Sequence, residues 1–291
     1  FLNSLLMFIF LKLIKKSFNY KKRDVFFFGL IIGFLALSRQ WAFLLFPGYI
    51  LLLFFVKKEF RKKYFVFMFY SSIIGFLISS WFYFNLYFQY GTFTAFNLDP
   101  IKFSFYNQPK SFYIPSLESL FQLFDKPIRP NFDNQFLPIL YSDLWGDYWG
   151  YFTFTSRFLD VGRNQLLIGD YFARVNIISI FTTLLIIIFC LLAYRANKSK
   201  FLIQYLNKAI LFSFFGYLIF SIAYPNWTGD TIKSTYIIQL FHLAVFLASI
   251  YLSKLEQMNK RVFNTIITAL FIIYIHNFQT YLSHFPLNYY P

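Results

Sequence analysis

Charged residues are scarce in this sequence. They make up 13% of the 291 residues, whereas hydrophobic residues make up 58%. Soluble domains carry about 25% charged residues. A chain of this length cannot hide so much apolar surface in one core, so the composition excludes an ordinary soluble domain and predicts an integral membrane protein.

Acidic residues are the scarcer of the two charged classes. The chain has 12 Asp and Glu against 27 Lys and Arg, a net charge of +15. On a soluble protein this excess would suggest nucleic-acid binding. Here the basic residues form short clusters between apolar runs, as in the loops of membrane proteins. We therefore expect membrane lipids as partners and no nucleic acid.

Several chemical motifs are missing. The single cysteine, Cys190, excludes an intramolecular disulfide, and we expect a buried structural thiol there. The sequence has no Gly-rich phosphate loop, Walker motif or G-x-S-x-G, so nucleotide hydrolysis is not supported. No cluster of His, Cys or acids has metal-ligand spacing. We predict no metal site and no cofactor, although use of a divalent metal stays open.

Apolar runs of near-spanning length dominate what is present. A transmembrane helix needs about 20 apolar residues. The runs cover residues 1–14, 25–38, 41–56, 64–85, 176–194, 208–224, 233–253 and 262–282. The predicted fold is all-α, with about eight transmembrane or re-entrant helices. Because Phe1 starts within an apolar run, we expect the sequence to be a fragment that lacks an N-terminal part.

Four basic clusters predict the sidedness of these helices. They lie within residues 15–23, 57–63, 195–200 and 254–261, and all should be cytoplasmic. The first two clusters can both be cytoplasmic only if residues 25–56 cross the membrane twice or form a re-entrant segment. The polar stretch Ser38-Arg39-Gln40 then lies at the outer surface. Residues 86–175 become an extracytoplasmic loop between membrane-helix groups 1–85 and 176–291.

The loop 86–175 is too aromatic and too low in net charge to be disordered. Its prolines predict short helices and turns instead of one long helix. The stretch PSLESLFQLF at 115–124 predicts an amphipathic helix with Leu117, Leu120, Phe121 and Phe124 on one face, lying on the membrane surface.

An acidic and aromatic motif, YSDLWGDYWGYF at 141–152, stands out within this loop. Asp143 and Asp147 are four residues apart and would share a face of a helix. One interpretation makes an acid a general base, a metal ligand or a sugar hydrogen-bond acceptor. Trp145, Tyr148 and Trp149 would then stack on the apolar faces of a sugar. The alternative is an interfacial aromatic belt.

Two cationic positions at the predicted outer face are candidate phosphate ligands. Arg39 could bind a lipid phosphate bidentately, or it could be a snorkelling anchor. Lys233, three residues before Tyr236, could hold an anionic headgroup with it, or the pair could anchor the helix at the interface. His242 lies within the same span, where a lone histidine is more often structural.

Three stretches carry a resemblance to a known family. GLIIGFLALSRQWAFLLFPGYILLLF at 29–54, SSWFYFNLYFQYGTF at 79–93 and IKSTYIIQLFHLAVFLA at 232–248 resemble segments of polytopic GT-C glycosyltransferases, such as protein mannosyltransferases and aminoarabinose transferases. Arg39 stands where that family usually has Lys. Lys233 and Tyr236 match the later motif, whereas Thr235 replaces its Arg.

The resemblance implies an enzyme of a bacterial inner or plasma membrane. Such an enzyme transfers a sugar from a polyprenyl-phosphate donor to a glycan, lipid or protein acceptor on the outer side, usually with inversion. Its base is a carboxylate in the first outer loop, which precedes the segments seen here. The resemblance therefore implies that the main catalytic Asp is absent from this fragment, and that Arg39, Lys233 and Tyr236 contact the donor phosphate.

Two other classes stay open. A polymerase or ligase of lipid-linked glycans also has many spans and one long outer loop, and Arg157, Arg163 and Arg174 could provide its cationic chemistry. A transporter or flippase would be expected to show polar, Gly- or Pro-broken segments in repeated halves. The sequence contains almost no intramembrane charge and no internal repeat.

Overall fold

The computed structural model describes residues 1–38, 40–93, 101–125, 127, 134–147, 163–198, 200–225 and 231–281. Within these ranges all regular structure is helical and no strand occurs, which confirms the predicted all-α class. The α-helices are α1 (Leu2–Lys15), α2 (Lys22–Ser38), α3 (Phe46–Leu51), α4 (Lys58–Tyr90), α5 (Lys110–Tyr113), α6 (Leu117–Asp125), α7 (Phe136–Trp145), α8 (Arg163–Asn197), α9 (Phe201–Ala223), α10 (Ile238–Met258) and α11 (Lys260–Asn277). Short 3₁₀-helices cover Gln40–Leu45, Leu52–Phe54, Phe105–Asn107, Ser234–Ile237 and Phe278–Tyr281.

Among the described residues, five helical segments are long and apolar enough to cross a membrane. They are Lys58–Tyr90, Gly169–Asn197, Phe201–Ala223, Ser234–Met258 and Lys260–Thr280. These segments support the prediction of a membrane protein. The other predicted runs fall on α1, on α2 and on the shorter apolar stretch Ala42–Phe54, so the structure does not confirm a count of eight.

The chain divides into two compact units. Unit 1 consists of Phe1–Asp99, Ala193–Tyr217 and Gln239–Leu247. Unit 2 consists of Pro100–Leu192, Leu218–Ile238 and Ala248–Pro291.

Two stripes of small residues hold α2 against α4 in unit 1. Gly29 and Gly33 form one stripe on α2. Ser71, Gly75 and Ser79 form the other on α4, and all three are buried. Small residues spaced by four lie on one helix face and let two backbones approach closely, which is the usual way for helices to associate in a membrane.

The contact between α2 and α4 leaves no room for larger side chains. A Cβ added at Gly33 would lie 2.8 Å from Ile78 Cβ and 3.0 Å from the Gly75 carbonyl oxygen. One turn further along, the Tyr83 hydroxyl donates a hydrogen bond of 2.5 Å to the Ala36 carbonyl. Dispersion contacts and this hydrogen bond together fix the register of the two helices.

An aromatic cluster forms part of the core of unit 1. The Phe10 ring packs against Phe28, Tyr49 and Tyr205, with ring centroids 5.1 to 6.2 Å apart. The buried Tyr64 hydroxyl donates to the Tyr49 carbonyl at 2.6 Å. Offset and edge-to-face ring pairs of this kind add about 0.5–1.5 kcal/mol each beyond their buried area.

His242 anchors α1 within unit 1. Asn3 Nδ2 donates to His242 Nδ1 at 2.9 Å, and His242 Nε2 lies 3.1 Å from Ser4 Oγ. Since Nδ1 accepts, the ring carries its proton on Nε2, which can donate to the hydroxyl. Both nitrogens are therefore engaged in a structural contact.

Short helices occupy the described residues between 101 and 147 of the predicted loop 86–175, whereas its two ends belong to the long helices α4 (to Tyr90) and α8 (from Arg163). α6 confirms the helix predicted at 115–124, and Ser116 Oγ caps it by accepting from the Ser119 amide at 3.1 Å. Leu117 and Phe121 are exposed on its apolar face. This face fits the prediction of a helix that lies on a membrane surface.

We predict that Gly33→Ala destabilises the protein while Gly48→Ala does not. The new Cβ at position 33 would overlap Ile78, at about 1–3 kcal/mol for an overpacked core. At position 48 it would lie an acceptable 3.4 Å from Ala209 Cα. Thermal unfolding in detergent should give a Tm at least about 2 °C lower for Gly33→Ala than for Gly48→Ala. Equal Tm values would contradict the close contact of α2 and α4.

Candidate functional site

The predicted acids lie at the end of α7 in unit 2. Asp143 stands in the last turn of the helix, and Asp147 follows just after it. The amides of Gly146 and Asp147 both donate to the Ser142 carbonyl, at 2.7 and 2.9 Å, and end the helix there. The motif is thus helical through Trp145, and the two acids flank the helix end instead of sharing one continuous helix.

Both carboxylates are buried. Asp143 and Asp147 are each 1% exposed, whereas Asp125 and Asp170 of the same unit lie at the surface. The C-terminal end of a helix dipole disfavours negative charge, and burial of a carboxylate is costly unless other groups compensate it. Acids held in such a place are candidates for chemistry.

Trp145, between the two acids in the sequence, has a buried hydrogen-bond donor without an acceptor among the described residues. This donor is the indole Nε1–H, and the ring as a whole is half-buried. The exposed part of the half-buried ring is what a ligand can reach. The other aromatic candidates, Tyr148 and Trp149, lie outside the described residues, as does Arg39.

The second predicted half of the site packs against α7. The 3₁₀-helix Ser234–Ile237 contacts α7 directly. Lys233 precedes it, and its Nζ lies 5.7 Å from the centroid of the Tyr236 ring, within reach of a cation–π interaction. Both side chains are half-buried. The structure therefore brings the predicted phosphate-binding pair onto an element that adjoins the helix of the predicted acids.

A chain of side-chain amides holds the start of α7. Asn134, which has a left-handed φ of 50°, donates from Nδ2 to Gln108 Oε1 at 2.6 Å. Gln108 Nε2 in turn donates to the Ser221 carbonyl at 2.7 Å, in the last turn of α9. The last carbonyls of a helix have no partner inside it, so this contact both satisfies α9 and positions α7.

Asn176 of α8 holds the end of α7. This fully buried side chain donates from Nδ2 to the Leu123 carbonyl at 3.0 Å and to Ser142 Oγ at 3.3 Å. The Tyr141 hydroxyl donates to the Asn176 carbonyl at 2.7 Å. Burial raises the pKa of Tyr141 to about 12, so the hydroxyl keeps its proton at neutral pH. Asn176 thereby ties α6, α7 and α8 together.

Gly146 permits this close approach of α7 to α8. A Cβ at this position would lie 3.1 Å from Asn176 Oδ1 and 3.4 Å from Phe172 Cβ. A larger side chain would push the end of α7, and with it both acids, away from α8.

The sequence alone did not predict that Gln108 and Asn176 position α7. Gln108 and Asn176 are polar residues whose partners lie far away in the sequence. Asn176 gave the one available signal, since it begins the apolar run 176–194. An unpaired amide is costly in apolar surroundings, so this position requires a hydrogen-bond partner. For a metal, the described residues contain no group of three or more His, Cys, Asp or Glu that could hold one.

We predict that Asn176→Ala loosens α6 and α7. The Leu123 carbonyl and the Ser142 hydroxyl would lose their buried donor, at about 1–3 kcal/mol per group. Hydrogen exchange followed by mass spectrometry should show faster exchange in residues 117–145. Asn197→Ala, in the same helix, removes only a bond to Ala193 within its own helix and is the matched control. Equal exchange in both variants would contradict the role of Asn176.

Comparison with protein-family models, with curated proteins and with solved structures finds no match for this sequence.

Proposed function

We propose that this chain is a membrane glycosyltransferase, or part of one, that transfers a sugar from a polyprenyl-phosphate donor to an acceptor on the extracytoplasmic side. The observation that carries the proposal is the contact between α7, with its buried Asp143, and the 3₁₀-helix that follows Lys233. A cation beside a carboxylate-bearing helix provides the two kinds of group that this transfer needs. The resemblance of 29–54, 79–93 and 232–248 to GT-C enzymes points to the same reaction.

The chemistry assigns a separate role to each half of the site. An acceptor hydroxyl attacks the anomeric carbon, and the bond from that carbon to the phosphate oxygen breaks. Negative charge grows on the leaving phosphate, where Lys233 beside Tyr236 would stabilise it. Asp143 or Asp147 would accept the hydroxyl proton as general base or orient the acceptor.

Trp145 would orient the sugar between these halves. Its half-buried ring can stack on an apolar sugar face. Fixing the reacting atoms in this way lowers the entropic part of the barrier. Arg39 stays a predicted donor-phosphate ligand on sequence grounds alone.

The proposal places the site in a loop outside the membrane. The basic clusters at 15–23, 57–63, 195–200 and 254–261 would face the cytoplasm, and 86–175 would lie outside. This topology requires that α2 and the stretch Ala42–Phe54 together cross twice or re-enter, which gives about eight membrane segments with α1. We propose a bacterial inner or plasma membrane as its location.

Cysteine labelling tests this topology. With Cys190→Ser as background, Tyr106→Cys should react with a membrane-impermeant maleimide on intact cells, because Tyr106 is 98% exposed in the predicted outer loop. Lys62→Cys, which is also exposed, should react only after permeabilisation. Labelling of position 106 only after permeabilisation would place the loop inside and contradict the proposal.

Substitution of the acids tests the reaction itself. The full natural chain would be reconstituted in vesicles with a radiolabelled polyprenyl-phosphate sugar and membrane-derived acceptors. We expect Asp143→Asn or Asp147→Asn to lower kcat about 100-fold or more, as loss of a general base does. Lys233→Gln should lower kcat/KM for the donor. Asp125→Asn, a surface acid of α6, is the matched control and should keep full activity.

Three results would count against the proposal. The first is absence of sugar transfer by the wild-type chain. The second is equal activity of the α7 variants and Asp125→Asn. The third is a product that grows by repeated addition of whole glycan units, which would instead identify a polymerase.

A further inference from the structure

An apolar cavity of about 470 Å³ lies in unit 1 between α2, α4 and the stretch Ala42–Phe54. Its size is typical of ligand pockets, which measure about 300–1,000 Å³. It is lined by aliphatic and aromatic side chains, among them Ile32, Phe46, Phe65 and Met68. The exposure of Phe65, at 54%, and of Ile50, at 68%, shows that the cavity opens to the surroundings of the helices. Its chemistry fits a hydrocarbon chain.

One face of α4 forms a wall of this groove. Phe65, Met68, Ser72, Gly75 and Ser79 all line it and follow one another at spacings of three and four residues. That spacing keeps them on a single helix face. From Phe65 to Ser79 the face is about 21 Å long at 1.5 Å per residue. One leaflet of a bilayer core is about 15 Å deep, so the groove is long enough to follow an acyl chain through a leaflet.

Arg61 stands at the polar end of the same face. It precedes Phe65 by four residues, and therefore continues the groove by one helical turn. Its guanidinium is held in place, since Nε donates to the Val56 carbonyl and Nη2 to the Phe54 carbonyl, both at 3.2 Å. Neither bond uses Nη1. A fixed guanidinium at the end of an apolar groove is suited to bind a phosphate group.

Further positive charge surrounds this end. Lys57, Lys58, Lys62 and Lys63 are all exposed next to Arg61, with Glu59 as the one acid in the 57–63 cluster. Clusters of this kind beside a membrane helix attract anionic lipids. Lys208 of the same unit lies over the Phe55 ring, with Nζ 4.1 Å from its centroid. The charge therefore favours an anionic headgroup over a zwitterionic one.

We infer that this groove is a binding site for an anionic glycerophospholipid. One acyl chain lies along the face from Phe65 to Ser79, and the phosphate contacts Arg61. The site does not depend on the proposed sugar transfer, because its phosphate contacts Arg61, whereas the proposed donor phosphate contacts Lys233 and Arg39.

Native mass spectrometry of the full chain tests this inference. The protein would be released from detergent after titration with phosphatidylglycerol or with phosphatidylcholine of the same acyl chains. We expect a preferred phosphatidylglycerol site in the wild type. Arg61→Gln should weaken it about tenfold, because it removes a charge-assisted hydrogen bond to the phosphate. Lys62→Gln removes the same charge from an exposed position outside the groove face and should change binding less than twofold.

A second pair of variants tests the groove independently of the charge. Ser72→Phe would fill the cavity and should lower the occupancy of both lipids at least fivefold, whatever the headgroup. Leu77→Phe adds bulk at a residue that is 68% exposed and does not line the cavity, so it should leave binding unchanged. A Tm of the lipid-free variants within a few degrees of wild type would confirm that each one folds.

Three outcomes would overturn the inference. Equal weakening by Arg61→Gln and Lys62→Gln would mean diffuse surface charge without a defined site. Unchanged lipid binding by Ser72→Phe would separate the lipid from the groove. The third outcome is that equimolar polyprenyl phosphate displaces phosphatidylglycerol from the wild type, and that Arg61→Gln and Ser72→Phe both abolish this displacement. That outcome would assign the groove to the sugar donor.

Discussion

Polar groups among the apolar helices of this chain must find partners within the protein, because a surrounding of hydrocarbon offers no water to replace them. This constraint explains where the side-chain hydrogen bonds occur. Asn176 and Gln108 satisfy carbonyls at the ends of neighbouring segments. His242 engages both of its nitrogens with α1, and Tyr64 reaches the Tyr49 carbonyl. Each bond fixes one element against another, and those of Gln108, Asn176 and Tyr64 also satisfy buried groups.

Small side chains on α4 have two effects in unit 1. At Gly75 they let α2 approach closely, since a Cβ there would lie 2.8 Å from Ile32 Cγ2. At Ser72 and Ser79 the same lack of bulk leaves a groove that larger neighbours such as Phe46 and Phe65 border. The small residues of α4 therefore contribute both to tight packing and to an open cavity. Where α2 fills the space above a small residue, the two helices are in contact, and where no helix fills it, a groove remains.

The sequence predicted the apolar helices better than the support of the site. The apolar run 208–224 did not predict the N-terminal part of α9, which begins at Phe201. Lys208 lies within this helix, where its ammonium group donates to Gln204 and lies over the Phe55 ring. Asp143 could be found because an acid amid aromatics is locally conspicuous. The role of Asn176 could not be predicted, because its partners lie on α6 and α7. Pairing over such distances in the sequence follows from the tertiary packing and not from local periodicity.

The amides that support α7 are neutral, whereas the groups proposed to act there are charged. Amides at Asn134, Gln108 and Asn176 fix both ends of the helix. A buried ion pair in their place would carry a larger desolvation penalty and would add its own field beside the acids. Neutral hydrogen bonds give comparable orientation without that field. The amides thereby orient α7 without adding a charge of their own beside Asp143 and Asp147.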